Sequence, residues 1–510
     1  MARIAGGSKG CQACRKRKKR CDERRPSCGQ CLSRNSSCPG YSREMKFINV
    51  SGPDKGHSSK ARSESRSSAQ ASSDSSDGGP RSDQVVAPHV HSTGLSSGAL
   101  ALQRSAVAYY CGSYFHNNIV QTGLDVFGKS SYIEWMAFTP DLDVDEPSLK
   151  SALLALGAAR MGHISQDPRL SRLSSESYSR SLRQLYRTIQ NGTKGLQDET
   201  LATMMFLAVY EIVEGSSSRG LGWASHTHGA LSLVHSQGLN TRWSRARHKL
   251  FDGLRLSAMI HSLGTRKPTY LATPEWTSLP WNGWEKEPKQ HLLDLMMEIP
   301  ALLHMIDAAY KTTDCSQKFR RLPGVCKAYL NLSRRLEDWH EAYKSDYPTK
   351  LHWERPSKFY ASHTMPQENI PSISIYFPDL ESGHIHLLYW TSHVLLFSNL
   401  GMLYMNCLAN APEGSQPPIP PFPCDVEEMH AMAVNIAKSA EYFLQPQTVA
   451  LGACVISFPV SIAFGYFEHY NLPECDWFRQ IFKYTKMFGI DVGGFLDAVA
   501  SETNLDLVVS

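Results

Sequence analysis

Residues 11–38 read CQACRKRKKRCDERRPSCGQCLSRNSSC, six cysteines spaced C-x2-C-x6-C-x6-C-x2-C-x6-C. The stretch is an internal repeat, because Cys11, Cys14 and Cys21 recur after 17 residues as Cys28, Cys31 and Cys38. Each half offers two thiolates two residues apart, the spacing with which one chain grips a tetrahedral ion at roughly 2.3 Å per bond. A third cysteine follows about two helical turns on. Zinc is the natural occupant of such a thiolate set. Six sulfurs are too many for one tetrahedral ion and two short of what two separate ions need, so two must bridge. The repeat makes equivalent residues the bridging pair, and Cys11 with Cys28 are the natural choice. Cys14 with Cys21, and Cys31 with Cys38, are then the terminal ligands. So small a peptide has almost no apolar core, and metal binding must supply its folding free energy, on the order of 10 kcal/mol or more per site. A disulfide framework would need an oxidising compartment. A [4Fe-4S] site would leave the two matched halves unexplained, and a zinc deaminase would want a His-x-Glu that is absent before Cys28.

Between the second and third cysteines stand Arg15, Lys16, Arg17, Lys18, Lys19 and Arg20. Residues 1–46 hold 13 Lys and Arg against Asp22, Glu23 and Glu44, a local charge of +10. The whole chain carries only +5, so the remainder is at −5. A cationic head on a mildly acidic body is the asymmetry expected of a nucleic-acid reader, since phosphate neutralisation supplies most sequence-independent affinity. The same run is compatible with a nuclear import signal.

The spacing, the basic run and Pro26 in the connecting loop together resemble the fungal Zn2Cys6 binuclear cluster family. That resemblance implies two zinc ions per chain on the six cysteines, double-stranded DNA as partner and the nucleus as location. It also implies a first helix whose end enters the major groove, with Lys18 reading the guanines of a CGG-like triplet; guanine O6 and N7 are acceptors that suit a cationic donor. Arg15, Arg17, Lys19 and Arg20 would mainly touch phosphates and set register, with Arg17 a second candidate reader. One module reads about three base pairs, too few to specify a genomic site, so a homodimer or extra contacts are needed. Residues 39–100 show no sustained heptads, so pairing would have to arise elsewhere.

Residues 51–99 contain no Phe, Trp or Tyr and run in Ser, Gly, Asp and Arg. They cannot bury enough apolar surface to offset their ordering entropy, and a disordered linker over 46–100 is expected. The zinc module then occupies 8–45 and a helical body 101–510. In that body apolar residues recur at helical spacing in Leu149 to Met161, Tyr178 to Ile189, Leu201 to Val213, Lys249 to Leu263 and Leu292 to Thr312. The pattern continues in Gly324 to Tyr343, Gly383 to Cys407, Val426 to Phe443, Gly452 to Tyr470 and Cys475 to Phe488. The fold class is all-α, with Pro412 to Pro423 as a surface loop.

AVYEIVEG at 208–215, WASHTHGALSLVHSQG at 223–238, RKPTYLATPEWTSLPW at 266–281 and ISFPVSIA at 456–463 resemble the fungal-specific transcription factor regulatory domain. The resemblance implies a regulator that engages the transcription machinery; control of a secondary-metabolite gene cluster is one common task of such proteins. Nothing points to an enzyme. His226 and His228 fall on different sides of a helix without an HExxH or a third acid, and no nucleophile elbow or phosphate loop stands in a supporting context. Trp223, Trp276, Trp281 and Trp390 are expected in the core, as are the seven cysteines beyond residue 100. The stretch from Asp491 to Asp506 mixes acids with Phe and Leu, the composition of an acidic activation segment or of a last packed helix. MARIAGGSKG lacks the apolar run of a secretory signal. The apolar stretch Leu451 to Phe467 is broken by Pro459 and too short to span a bilayer, so no membrane partner is expected. The competing reading is a zinc-dependent protein-interaction adaptor without specific DNA contact.

Overall fold

The computed structural model describes residues 12–17, 19, 21–22, 28–34 and 38, and then 135–136, 142–190, 197–214, 221–239, 243–346, 350–362, 370–410, 422–445 and 449–487. Two compact units divide the chain, 1–91 and 92–510. The first contains two short helices, α1 (Gln12–Lys16) and α2 (Gly29–Leu32). The 46–100 linker, the acidic stretch from Asp491 and most of the Pro412 to Pro423 loop lie outside the described residues.

The described residues of the second unit are helical almost throughout. Near the start of these residues lie α3 (Pro147–Ser165) and α4 (Pro168–Gln190), separated by only Gln166 and Asp167. Glu146 caps α3 by accepting from the Leu149 amide, Pro147 fills the first turn, and Gln166 ends the helix in the left-handed conformation. The two helices pack closely because small residues face each other. A Cβ on Gly162 would come within 3.1 Å of Leu170 and Ser171. Ser174 Oγ donates to Ala155 O (3.0 Å) and Ser181 Oγ to Ser148 O (2.8 Å), so these two buried hydroxyls are satisfied across the interface.

Next come α5 (Asp198–Glu214), α6 (Leu221–Gln237) and α7 (Arg245–Thr265), then the short α8 (Pro274–Ser278), α9 (Pro288–Met296) and α10 (Ile299–Tyr310). The pattern from Leu292 to Thr312 reads as one helix, but the structure breaks it between Met296 and Ile299. Pro300 accounts for the break, since it has no amide to donate into a continuing helix and suits only a first turn. A long α11 (Cys315–Ser345) follows, then α12 (Lys358–Ser362), α13 (Leu380–Ala409), α14 (Val426–Phe443), α15 (Val449–His469) and α16 (Glu474–Met487). The 30-residue α13 buries residues around most of its circumference between Leu380 and Cys407, and runs through the core as an axle about 45 Å long. No helix among the described residues is long and apolar enough to cross a membrane. All four tryptophans expected in the core are buried. Of the scattered cysteines, Cys326, Cys407 and Cys475 are buried, whereas Cys315, Cys424 and Cys454 are half-buried.

The one β element among the described residues is a pair of antiparallel four-residue strands, β1 (Trp353–Pro356) and β2 (Ile373–Tyr376), with Trp353 opposite Tyr376. Glu441 of α14 pins it. Its buried carboxylate accepts from Ser357 Oγ (2.6 Å), the Lys358 amide (3.0 Å), Ser374 Oγ (2.9 Å) and Tyr376 Oη (2.9 Å). Burial pushes the Glu441 carboxyl up, but these donors together outweigh it and hold it below its ordinary value of 4.5. A depressed folded value means stability that is present above the ordinary carboxylate range and lost as pH falls through the folded value. Glu441→Gln should therefore lower the melting temperature at pH 7 and flatten its dependence below pH 4.5, read by thermal melts of both chains across the acid range.

Candidate metal centre

The short α1 carries Cys14 and is followed by the turn at Arg17; α2 carries Cys31 and is preceded by Cys28. Neither helix could persist alone, being shorter than a stable nucleus. What draws them together is sulfur. The Sγ atoms of Cys14, Cys28 and Cys31 lie within 4.8 Å of one another, and all three residues are fully buried. Cys14 Sγ and Cys28 Sγ are 3.7 Å apart. That is far beyond a disulfide bond of about 2.05 Å. It equals the edge, about 3.8 Å, of a tetrahedron with 2.3 Å metal–sulfur bonds. Cys28 also stands in a second group with Cys21 and the Asp22 carboxylate. Cys28 is thus the sulfur common to both groups, and it faces thiols from each half of the repeat. Cys38 is packed against the same cluster, half-buried. Cys11 lies outside the described residues.

A buried all-sulfur set with metal-like spacing fits zinc, which when bound supplies the cross-links that an apolar core of this size cannot. The backbone folds to match. Cys28 O accepts from the amides of Cys31 and Leu32 (both 3.0 Å), which closes the second Cys-x-x-Cys hook, while Cys14 O accepts from the Lys19 amide (3.0 Å).

Two residues acquire roles here that spacing alone did not reveal. Asp22 accepts from the Gly29 amide with both carboxylate oxygens (2.9 and 3.0 Å), and so caps α2 from across the cluster. A Cβ on Gly29 would approach Asp22 Oδ2 to 2.6 Å, so the close cap requires glycine there. Arg17 turns back over the cluster: its Nε donates to Ala13 O (3.2 Å) and its Nη2 to Cys31 Sγ (3.6 Å). A guanidinium donating to a ligand sulfur offsets thiolate charge and orients the ligand. The only signal in the sequence was an acid and an arginine beside ligand cysteines, which many arrangements would share.

Lys16, Arg17 and Lys19 are exposed. Lys18 and Arg20 lie outside the described residues, and of Arg15 the structure describes the backbone in α1. In the body, His226 and His228 do not converge. His226 Nε2 meets Tyr178 Oη at 3.1 Å, and burial lowers its pKa to about 4, so it is a neutral packing group. His228 points elsewhere, toward the His261 ring.

Comparison with known families agrees with this geometry. Residues 9–46 match the family described as the fungal Zn(2)-Cys(6) binuclear cluster domain. Residues 109–419 match the fungal specific transcription factor domain. No curated protein and no solved structure matches the chain.

Proposed function

Since the chain belongs to the fungal specific transcription factor domain family and carries a zinc cluster domain, we propose that it reads CGG-like elements in double-stranded DNA to control RNA polymerase II transcription. A zinc-binding, DNA-binding transcription regulator is the common ground of both domains, and neither is an enzyme family. The single observation that supports the finer reading is Cys28, whose sulfur is common to two groups, one with Cys14 and Cys31 and one with Cys21 and the Asp22 carboxylate, as a bridging ligand's would be. In this proposal two zinc ions per chain would be shared by Cys11 and Cys28 and completed by Cys14 and Cys21 on one side and Cys31 and Cys38 on the other.

In this reading residues 8–45 are the DNA module, 46–100 a tether and 101–510 the regulatory body, working in the nucleus. Lys18 donates to guanine O6 and N7, while Arg15, Lys19 and Arg20 hold phosphates. Arg17, engaged with Cys31, supports the cluster while its exposed edge stays open to the backbone. A homodimer would supply the second half-site that one module lacks, and the body would contact the transcription machinery.

Lys18→Ala in the intact chain tests the assignment. Relative affinity for sites with and without the guanine pair should converge by about tenfold, the worth of roughly 1–3 kcal/mol per base contact. Zinc content should be unchanged. Undiminished discrimination by the variant, read in competition binding assays, would remove Lys18 from the reading role.

A further inference from the structure

Helix α4 presents an arginine row that no group among the described residues answers. At 100° per residue Arg172, Arg180, Arg183 and Arg187 fall within an arc of about 80°, along some 23 Å of helix. All four are exposed, and only Glu176 interrupts them. None has an ion pair or hydrogen bond among the described residues, whereas Arg169 at the head of the row is held by Asp167 at 3.0 Å. Beside the row runs an apolar strip at i, i+4 and i+7: Leu182 is 36% exposed, Tyr186 65% and Ile189 45%. The opposite face of α4, with Ser174, Ser177, Ser181 and Leu185, is the buried one.

The row is also out of keeping with the rest of the body. Outside residues 1–46 the chain is at −5, yet α4 has five arginines against one acid. A solvated charged face needs no apolar strip, and duplex DNA would use the cations but leave Leu182, Tyr186 and Ile189 uncovered. A ligand that is acidic and apolar at once uses both.

We propose that residues 488–510 of this same chain are that ligand and dock on the arginine face of α4. The segment FGIDVGGFLDAVASETNLDLVVS contains Asp491, Asp497, Glu502 and Asp506 and no Lys or Arg. Between its acids it carries Phe495, Leu496, Leu505 and Leu507. It follows directly on Met487, the exposed last residue of α16. Extended, it reaches up to about 75 Å, against a radius of gyration of about 21 Å for a compact body of this size. Its carboxylates pair with the guanidinium groups and its Phe and Leu side chains cover the apolar strip. Docking hides an acidic–apolar segment from other proteins, and releasing it exposes that segment.

The test uses the intact chain with a photoreactive benzoylphenylalanine at position 495. Irradiation followed by mass spectrometry should show capture within residues 168–190 of the same molecule. Capture should fall about tenfold in R172E/R180E/R183E/R187E and weaken between ~50 and ~500 mM salt. It should return when D491K/D497K/E502K/D506K is combined with the arginine reversal. The reversed arginines are solvent-facing, so an unchanged melting temperature certifies the fold; should the fourfold variant melt early, R180Q/R183Q replaces it, with the same direction expected. Capture mapped outside α4, capture between isotopically distinguished copies, or capture indifferent to arginine reversal would each overturn the proposal. So would displacement of the segment by a nonspecific DNA duplex in the parent chain but not in the reversed one, which would make DNA the occupant.

Discussion

Cys28→Ser should abolish specific DNA binding by the intact chain while leaving the melting transition of the helical body in place. Cys28 is the sulfur shared by the group with Cys14 and Cys31 and the group with Cys21 and Asp22, and it is fully buried. Its loss removes a ligand from each proposed zinc site at once. Among the described residues the peptide around it has two helices of five and four residues and no buried cluster besides the cysteines. A structural zinc site contributes on the order of 10 kcal/mol to folding. Specific binding exceeds nonspecific by roughly 4–10 kcal/mol, so unfolding the module erases the whole margin, a loss of at least ~10³-fold in affinity for the preferred site. Fluorescence anisotropy with a labelled duplex, together with zinc content by mass spectrometry, reads both effects. Cys326→Ser is the control, since that buried cysteine packs in the body's core and its replacement should leave DNA affinity unaltered.

The second large effect is expected at Arg255 in α7. Its side chain is 1% exposed. It donates to Gln290 Oε1 (2.6 Å) and Gln290 O (3.2 Å), pairs with Asp294, and lies 5.4 Å from the centre of the Trp281 ring. Asp294 is shared with Lys286, and the Gln290 amide in turn donates to Asp252. Burial raises the Asp252 carboxyl to about 6, with Lys289, Lys249 and Arg255 opposing that rise. The network fixes α7 against α9 and holds the Thr277–Trp281 turn through Lys286 Nζ to Thr277 O (2.5 Å). Arg255→Ala takes the buried donor from Gln290 Oε1 and leaves Asp294 to Lys286 alone, a loss of about 3–5 kcal/mol. Chemical denaturation of the body should show that loss, whereas Lys150→Ala, which breaks an exposed pair with Asp145, should show none.

Much of this molecule is legible in its residues because two strong physical signals dominate it. Metal ligation imposes spacing on the chain itself, so the cysteine repeat announces the zinc module without reference to three dimensions. Helical periodicity does the same for the body. The Val426 to Phe443 pattern coincides with α14, and Lys249 to Leu263 lies within the longer α7, whose start is set by the Ser244 cap. What stayed hidden depends on distant partners. The β pair has strands of only four residues, too short for alternation to stand out, and its anchor Glu441 lies 65–84 residues away from the groups it binds. Arg17 reads from the sequence as a phosphate contact and a second candidate base reader, and its turn toward Cys31 depends on the two halves of the repeat having folded together. Asp22 as the cap of α2 is invisible for the same reason.

Selection of duplexes from a random pool by the intact chain, run in parallel with zinc and with a strong chelator, tests the account most directly. Enrichment of CGG-containing sites is expected with zinc and none under chelator. Equal enrichment in both, or none in either, would contradict it.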